Sequence, residues 1–195
     1  MIRKLADLIV DELSGLNFVN QIGGVVRPVE INKMVNNESD VKIYPAITNP
    51  TTKKHDLYIP DSSKKSIIYF EDNGIVSIDN DTRYTVYEAN LRMICWYNLP
   101  QINEDYLTGD LLTQTLIANI PHELPNTDYL TKIFVEFTGE AAKDKSLFAS
   151  YDYDEAEWQY LNYPYDYAAL DFVIEFSVPR NIECFEEVTI NPKVC

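Results

Sequence analysis

The chain has 195 residues, 46% of them hydrophobic and 24% charged, enough apolar material for one sizeable core and too much for a disordered chain. Sixteen Lys and Arg against 31 Asp and Glu leave a net charge of −15, which argues against the clustered cations that a phosphate backbone requires. The close basic pairs, Lys53-Lys54 and Lys64-Lys65, fall in loop-like stretches, so sequence-specific nucleic-acid binding is not expected.

At the N-terminus Ile2, Leu5, Leu8, Ile9 and Leu13 recur at helical spacing, which predicts an amphipathic helix over residues 2–14 that stops at Ser14-Gly15. Asp7, Asp11 and Glu12 interrupt its apolar face, so it reads neither as a secretory leader nor as a membrane span. A short strand around 17–22 is broken by Gly23-Gly24, and 25–31 continues it or pairs with it. NNESD at 36–40 predicts a turn. Residues 41–47 are strand-like, and Pro45 restricts them to an edge or a strand end.

Residues 48–66 hold two Lys pairs and many Ser and Thr, and form a first insertion with a short strand near 56–59. The apolar runs 67–70 and 75–78 flank EDNG, which predicts a hairpin turning at Asn73-Gly74. After a second turn at 79–82 comes the longest strand, Arg83–Leu99. One face of it carries Thr85, Tyr87, Ala89, Leu91, Met93, Cys95, Tyr97 and Leu99, while Glu88, Asn90 and Arg92 lie on the other. Such alternation predicts a long antiparallel strand with one face on a core.

A second helix is expected from a cap at Thr108 or Asp110 to Pro121, across the same sheet face as the first. Residues 131–138 and 170–178 alternate as strands. Between them lies a second insertion, 139–167, rich in Tyr and acids, with a helical turn near 156–161. The fold class expected is α+β: one domain over 1–195, an antiparallel sheet with a long central meander strand, two helices on one face, and a C-terminal extension at 181–195.

Chemistry is sparse in this pattern. Cys95, Cys184 and Cys195 form no metal or redox spacing; Cys95 reads as a buried hydrophobe, and the odd count without a leader suits a reducing compartment. His55 and His122 have no neighbouring nucleophile, and none of the six glycines builds a phosphate loop, so neither catalysis nor a nucleotide cofactor is expected. Asp152, Asp154, Glu155 and Glu157 do not match a calcium loop, and no metal is expected. The outstanding feature is fourteen tyrosines. Candidate interface residues are Lys53, Lys54, His55 and Tyr58 in the first insertion and Tyr151, Tyr153, Trp158, Tyr160, Tyr163 and Tyr165 in the second. The same rings could instead cover the sheet within one subunit, or form a ligand platform.

The order of elements resembles the tail-terminator and neck proteins of tailed bacteriophages. The resemblance is carried by the helix 2–13, the strand YEANLRMICWYNL, the helix 110–120 and the late strand DYAALDFVIEFSV. It covers residues 1–138 and 167–180, and the two insertions and the C-terminal extension depart from a minimal member. It implies a non-enzymatic virion protein, assembled in the host bacterial cytoplasm. Such a protein would form a six-fold or twelve-fold homo-oligomeric ring around the DNA channel, between portal or adaptor and tail proteins. A strongly acidic ring would let DNA slide without adsorbing. A different reading of the same charge is an acidic DNA mimic that occupies the basic groove of a host enzyme, and a third is an acid-pair enzyme acting near Asp152–Glu157.

Overall fold

The computed structural model describes residues 1–35, 38–80 and 83–180. The fold is α+β. In chain order it comprises α1 (Ile2–Leu13), β1 (Gln21–Val25), β2 (Arg27–Val35), β3 (Glu38–Thr48), β4 (His55–Leu57), β5 (Ser66–Asn80) and β6 (Tyr84–Asn98). There follow α2 (Leu99–Ile102), α3 (Asp110–Asn119), β7 (Glu123–Leu124), β8 (Thr131–Glu140), α4 (Glu155–Trp158) and β9 (Tyr165–Pro179). Six strands form one curled sheet in the order β1-β5-β6-β9-β8-β7, and β2-β3-β4 form a separate antiparallel sheet. The pairings agree with the expected antiparallel sheet except at one edge, where β1 runs parallel to β5.

The long strand is the spine. β6 pairs along its whole length with β9, from Tyr84↔Pro179 to Asn98↔Tyr165, and antiparallel with β5 on its other side. Its apolar face, Ala89, Leu91, Met93, Cys95 and Tyr97, packs with Leu5, Ala6, Ile9 and Leu13 of α1 and with Leu112 and Leu116 of α3. Both helices therefore lie on one face, as the periodicities require. Full burial of each Leu or Phe here contributes about 1.5–3 kcal/mol, so this layer holds the sheet in shape.

Several local expectations are corrected. Asn73-Gly74 is not a hairpin turn: β5 continues through it, and register with β6 passes from Asp72↔Leu91 to Ile75↔Ala89 across a bulge. Gly74 has φ +105°, and its N–H donates to the Asp72 carboxylate at 2.8 Å. The dipeptide supplies the positive φ that a tight turn needs, but an extra residue in a strand needs it equally. The chain reverses instead between Asn80 and Arg83, at the turn expected over 79–82, of which 81–82 lie outside the described residues. Gly23 and Gly24 sit inside β1 rather than ending it. A Cβ on Gly23 would overlap the Tyr58 ring and come within 2.7 Å of Ile47 Cδ1, so the glycine lets the second sheet approach the first.

Pro45 is in the middle strand of its sheet, not at an edge. It faces Pro28, and its carbonyl accepts from Tyr58 N at 2.9 Å just where β4 ends. The missing N–H of Pro45 points to that same side, where the ladder to β4 has ended at Leu57 and only the carbonyl is engaged. Of the turn expected at 36–40, Glu38–Asp40 belong to β3 and 36–37 lie outside the described residues. The N-cap of α3 is Gly109, beside the predicted Thr108 and Asp110. The C-terminal extension 181–195 lies outside the described residues.

Candidate assembly surface

The polar face of the sheet is covered over only part of its length. Near the β6 C-terminus, Ile67, Tyr69, Ile94, Trp96, Tyr167 and Ala169 meet the three-stranded sheet and the second insertion in a second core. Trp96 stacks on Tyr165 at 5.4 Å between centroids and donates its indole N–H to the Tyr160 carbonyl at 2.6 Å. Tyr153 packs against Phe148, Tyr151 and Trp158. Most of the tyrosine excess is therefore spent inside the chain, where large rings with a polar tip suit the gap between two layers.

This placement divides the predicted interface residues. Tyr58, Tyr151 and Tyr153 are buried within the chain, the intramolecular cover that the sequence also allowed. Trp158, Tyr160 and Tyr165 are half-buried in the same core. Lys53, Lys54 and His55 are exposed at the first insertion, and Tyr163 is 72% exposed at the second. The two groups are not brought together into one patch by any contact among the described residues.

The acids of the second insertion have structural work. Asp152 accepts from Ile43 N at 3.0 Å. Asp154 and Glu157 form a reciprocal capping box at the start of α4. Lys33 on β2 donates to Asp154 at 2.6 Å and to Glu157 at 2.8 Å, and the Tyr44 hydroxyl donates to Glu157 at 2.9 Å. Burial alone would lower the Lys33 pKa, but its bonds to Asp154, Glu157 and Tyr44 outweigh that and hold it above the ordinary lysine range. The Lys33 bond is also the main cause that holds Asp154 below the usual carboxylate range. Lys33 and Tyr44 were invisible to sequence reasoning, since their partners lie over 110 residues away; the D-x-x-E spacing at 154–157 was the legible half.

Other titratable groups are equally occupied. His55 Nδ1 lies 2.9 Å from Thr48 Oγ1 on the exposed edge of the second sheet, and His122 Nδ1 lies 3.0 Å from the Val135 carbonyl. Glu71, its pKa raised by burial, accepts from the Tyr151 hydroxyl at 2.7 Å. Arg92 grips Asp171 bidentately at 2.7 and 3.0 Å. Burial pushes the Cys95 thiol up to about 12. Among the described residues no three His, Cys, Asp or Glu side chains are placed to hold a metal, and no helix is long and apolar enough to cross a membrane.

Among the described residues, what stays open is the far half of the sheet. Beyond Phe70, β5 loses β1 as a partner, and every residue from Asp72 to Asn80 is exposed, with Val76 at 51%. Ile75 and Ile78 are exposed beside it. Across the sheet β8 exposes Phe137, which packs on Phe172 at 5.6 Å. On the uncovered face Glu88 stands directly opposite Glu175. Like charges in that position cost stability. These residues lay in plain view in the sequence, but 75–78 read as half of a hairpin, and only the register shows that they line an edge. Compared with protein-family models and with curated proteins, the chain matches none.

Proposed function

We propose that this chain is a structural subunit of the neck of a tailed bacteriophage, a tail terminator or head–tail connector. It would act by assembling with copies of itself into a ring around the DNA channel, between portal or adaptor and tail proteins. The observation that carries the reading is the open half-sheet. A ten-residue strand edge with exposed Ile75, Val76 and Ile78 is costly to leave bare on a monomer, and lateral tiling removes the cost. Ring subunits meet through unlike surfaces, and a sheet has two unlike edges. A charge of −15 per subunit repeats around such a ring, and Glu88 with Glu175 on an uncovered face suits a wall that DNA passes without binding. The virion would then be its final location, with no chemistry of its own to perform.

Native mass spectrometry and negative-stain imaging of the purified protein, alone and with portal and tail proteins, test this. Closed rings of one subunit number are expected. Strictly monomeric behaviour at high concentration and with those partners present would reject it. The opposed Glu88–Glu175 pair favours one other reading, an acidic mimic of DNA that fills a basic groove. Stable capture of a host nuclease or polymerase by a monomer, abolished by Glu88→Gln with Glu175→Gln, would support that reading instead.

A further inference from the structure

We infer that the outer edge of β5 takes the free edge of β8 from a second copy of this chain, so that the six-stranded sheet runs on from one subunit into the next. The inference rests on the self-assembly reading above and names the contact that would build it.

Both edges are open where they would meet. β1 pairs with β5 only between Ile67 and Phe70, which leaves the outer edge of Glu71–Asn80, opposite β6, without a strand partner among the described residues. β7 covers β8 at Ile133 and Phe134, and the Val135 N–H is taken by the His122 carbonyl, which leaves Glu136–Glu140 free in the same sense. The strand directions fit. β5, β6, β9 and β8 are successively antiparallel, so β5 and β8 of one sheet run in opposite directions. A second copy set beside the first in the same orientation therefore presents β8 antiparallel to β5, the pairing that a direct edge contact favours.

The side chains fit as well. Ile75 is registered with Ala89, and Phe137 with Phe172, and both partners belong to the helix-side core. Ile75 and Phe137 thus project from the same face of the sheet, 38% and 39% exposed. A continuous sheet keeps its faces, so Phe137 of the second copy comes down beside Ile75. Antiparallel counting from that pair sets Glu140 of the second copy opposite Asp72, where Arg3 and Arg27 share a cleft of about 260 Å³ with Asp72. Arg3 and Arg27 stand beside the two acids that meet there, in a chain whose overall charge would otherwise oppose self-contact.

Register shifts at Asp72/Ile75 on β5 and Phe137/Gly139 on β8, with β7 covering β8 up to Phe134, bound the contact at both ends. They pin the register and prevent the open-ended stacking that a long flat edge invites. The contact is head-to-tail, which closes into a ring when the rotation per subunit divides a circle.

The test is oxidative cross-linking of Ile75→Cys with Phe137→Cys in full-length protein carrying Cys184→Ser and Cys195→Ser, with Cys95 left buried. A ladder of disulfide-linked oligomers is expected from the double variant, and none from either single variant. Cross-linking of Ile75→Cys alone would mean that β5 meets β5 across a two-fold axis, and would overturn the inference. Assembly of the double variant without cross-links would overturn it too, while leaving the ring reading intact; a wild-type chain that never assembles overturns both. Val76→Lys with Ile78→Lys provides a second arm, since both side chains are exposed and the fold does not need them. It should keep the wild-type circular dichroism and raise the concentration for assembly at least tenfold, and unchanged assembly would overturn the inference.

Discussion

Glu157→Ala probes the joint between the second insertion and the rest of the chain. The buried Glu157 carboxylate receives the Tyr44 hydroxyl at 2.9 Å, Lys33 Nζ at 2.8 Å and the Asp154 N–H at 2.9 Å. Loss of the cap bond costs about 1 kcal/mol. A buried Tyr44 hydroxyl without its acceptor costs about 1–3 kcal/mol. The lysine pair adds only about 0.5 kcal/mol, because the Lys33 side chain is 36% exposed and screened by solvent. Together these predict a loss of about 2.5–4.5 kcal/mol, read as a lower urea midpoint with unchanged slope at a protein concentration where assembly does not contribute. Glu157→Gln keeps an acceptor for Tyr44 and should lose less than half as much. Hydrogen exchange at the amides of 154–158 should rise in the alanine variant before the β6 amides respond. A Glu157→Ala midpoint within the error of wild type would refute the claim that this carboxylate pins the insertion.

The Tyr69 and Tyr153 hydroxyls are buried without a hydrogen-bond partner among the described residues. Tyr69→Phe should therefore leave stability unchanged or raise it by up to about 1 kcal/mol, whereas Tyr44→Phe should lower it; calorimetry distinguishes the two. Cys95, fully buried with its thiol pushed up to about 12, should resist iodoacetamide in the folded Cys184→Ser/Cys195→Ser protein and react fully in urea. Asp154 is held below its ordinary value of 3.8, so its contribution is complete above that pH and disappears as pH falls through the lower folded-state value. Wild type should accordingly lose its advantage over Asp154→Asn only below about pH 3.8, and an advantage lost already near neutrality would contradict the Lys33 pairing.

Much of the architecture was legible because it follows from local periodicity. Leu5, Leu8, Ile9 and Leu13 at helical spacing can bury only as one stripe of a helix, and the alternation of Ala89, Leu91, Met93 and Cys95 can bury only as one face of a strand. The helix over 110–119 and the late strand follow by the same reasoning. The Asn73-Gly74 expectation failed for the converse reason. Those residues report a backbone angle, and whether it serves a turn or a bulge depends on whether Leu91 and Ala89 lie alongside.

By itself, the order of residues determined which segments are helices and strands, which faces are apolar, and how acidic the chain is. Those properties depend on neighbours a few positions apart and on composition alone. Only the tertiary structure decided that the tyrosines of the second insertion fill a core, that Lys33 reaches Asp154 and Glu157, and that Ile75 and Phe137 stand on opposite open edges of one sheet. Each of these pairs residues far apart in sequence, and such pairing is set by how the layers stack and by strand register. A register shift of one residue would turn every one of those side chains to the other face.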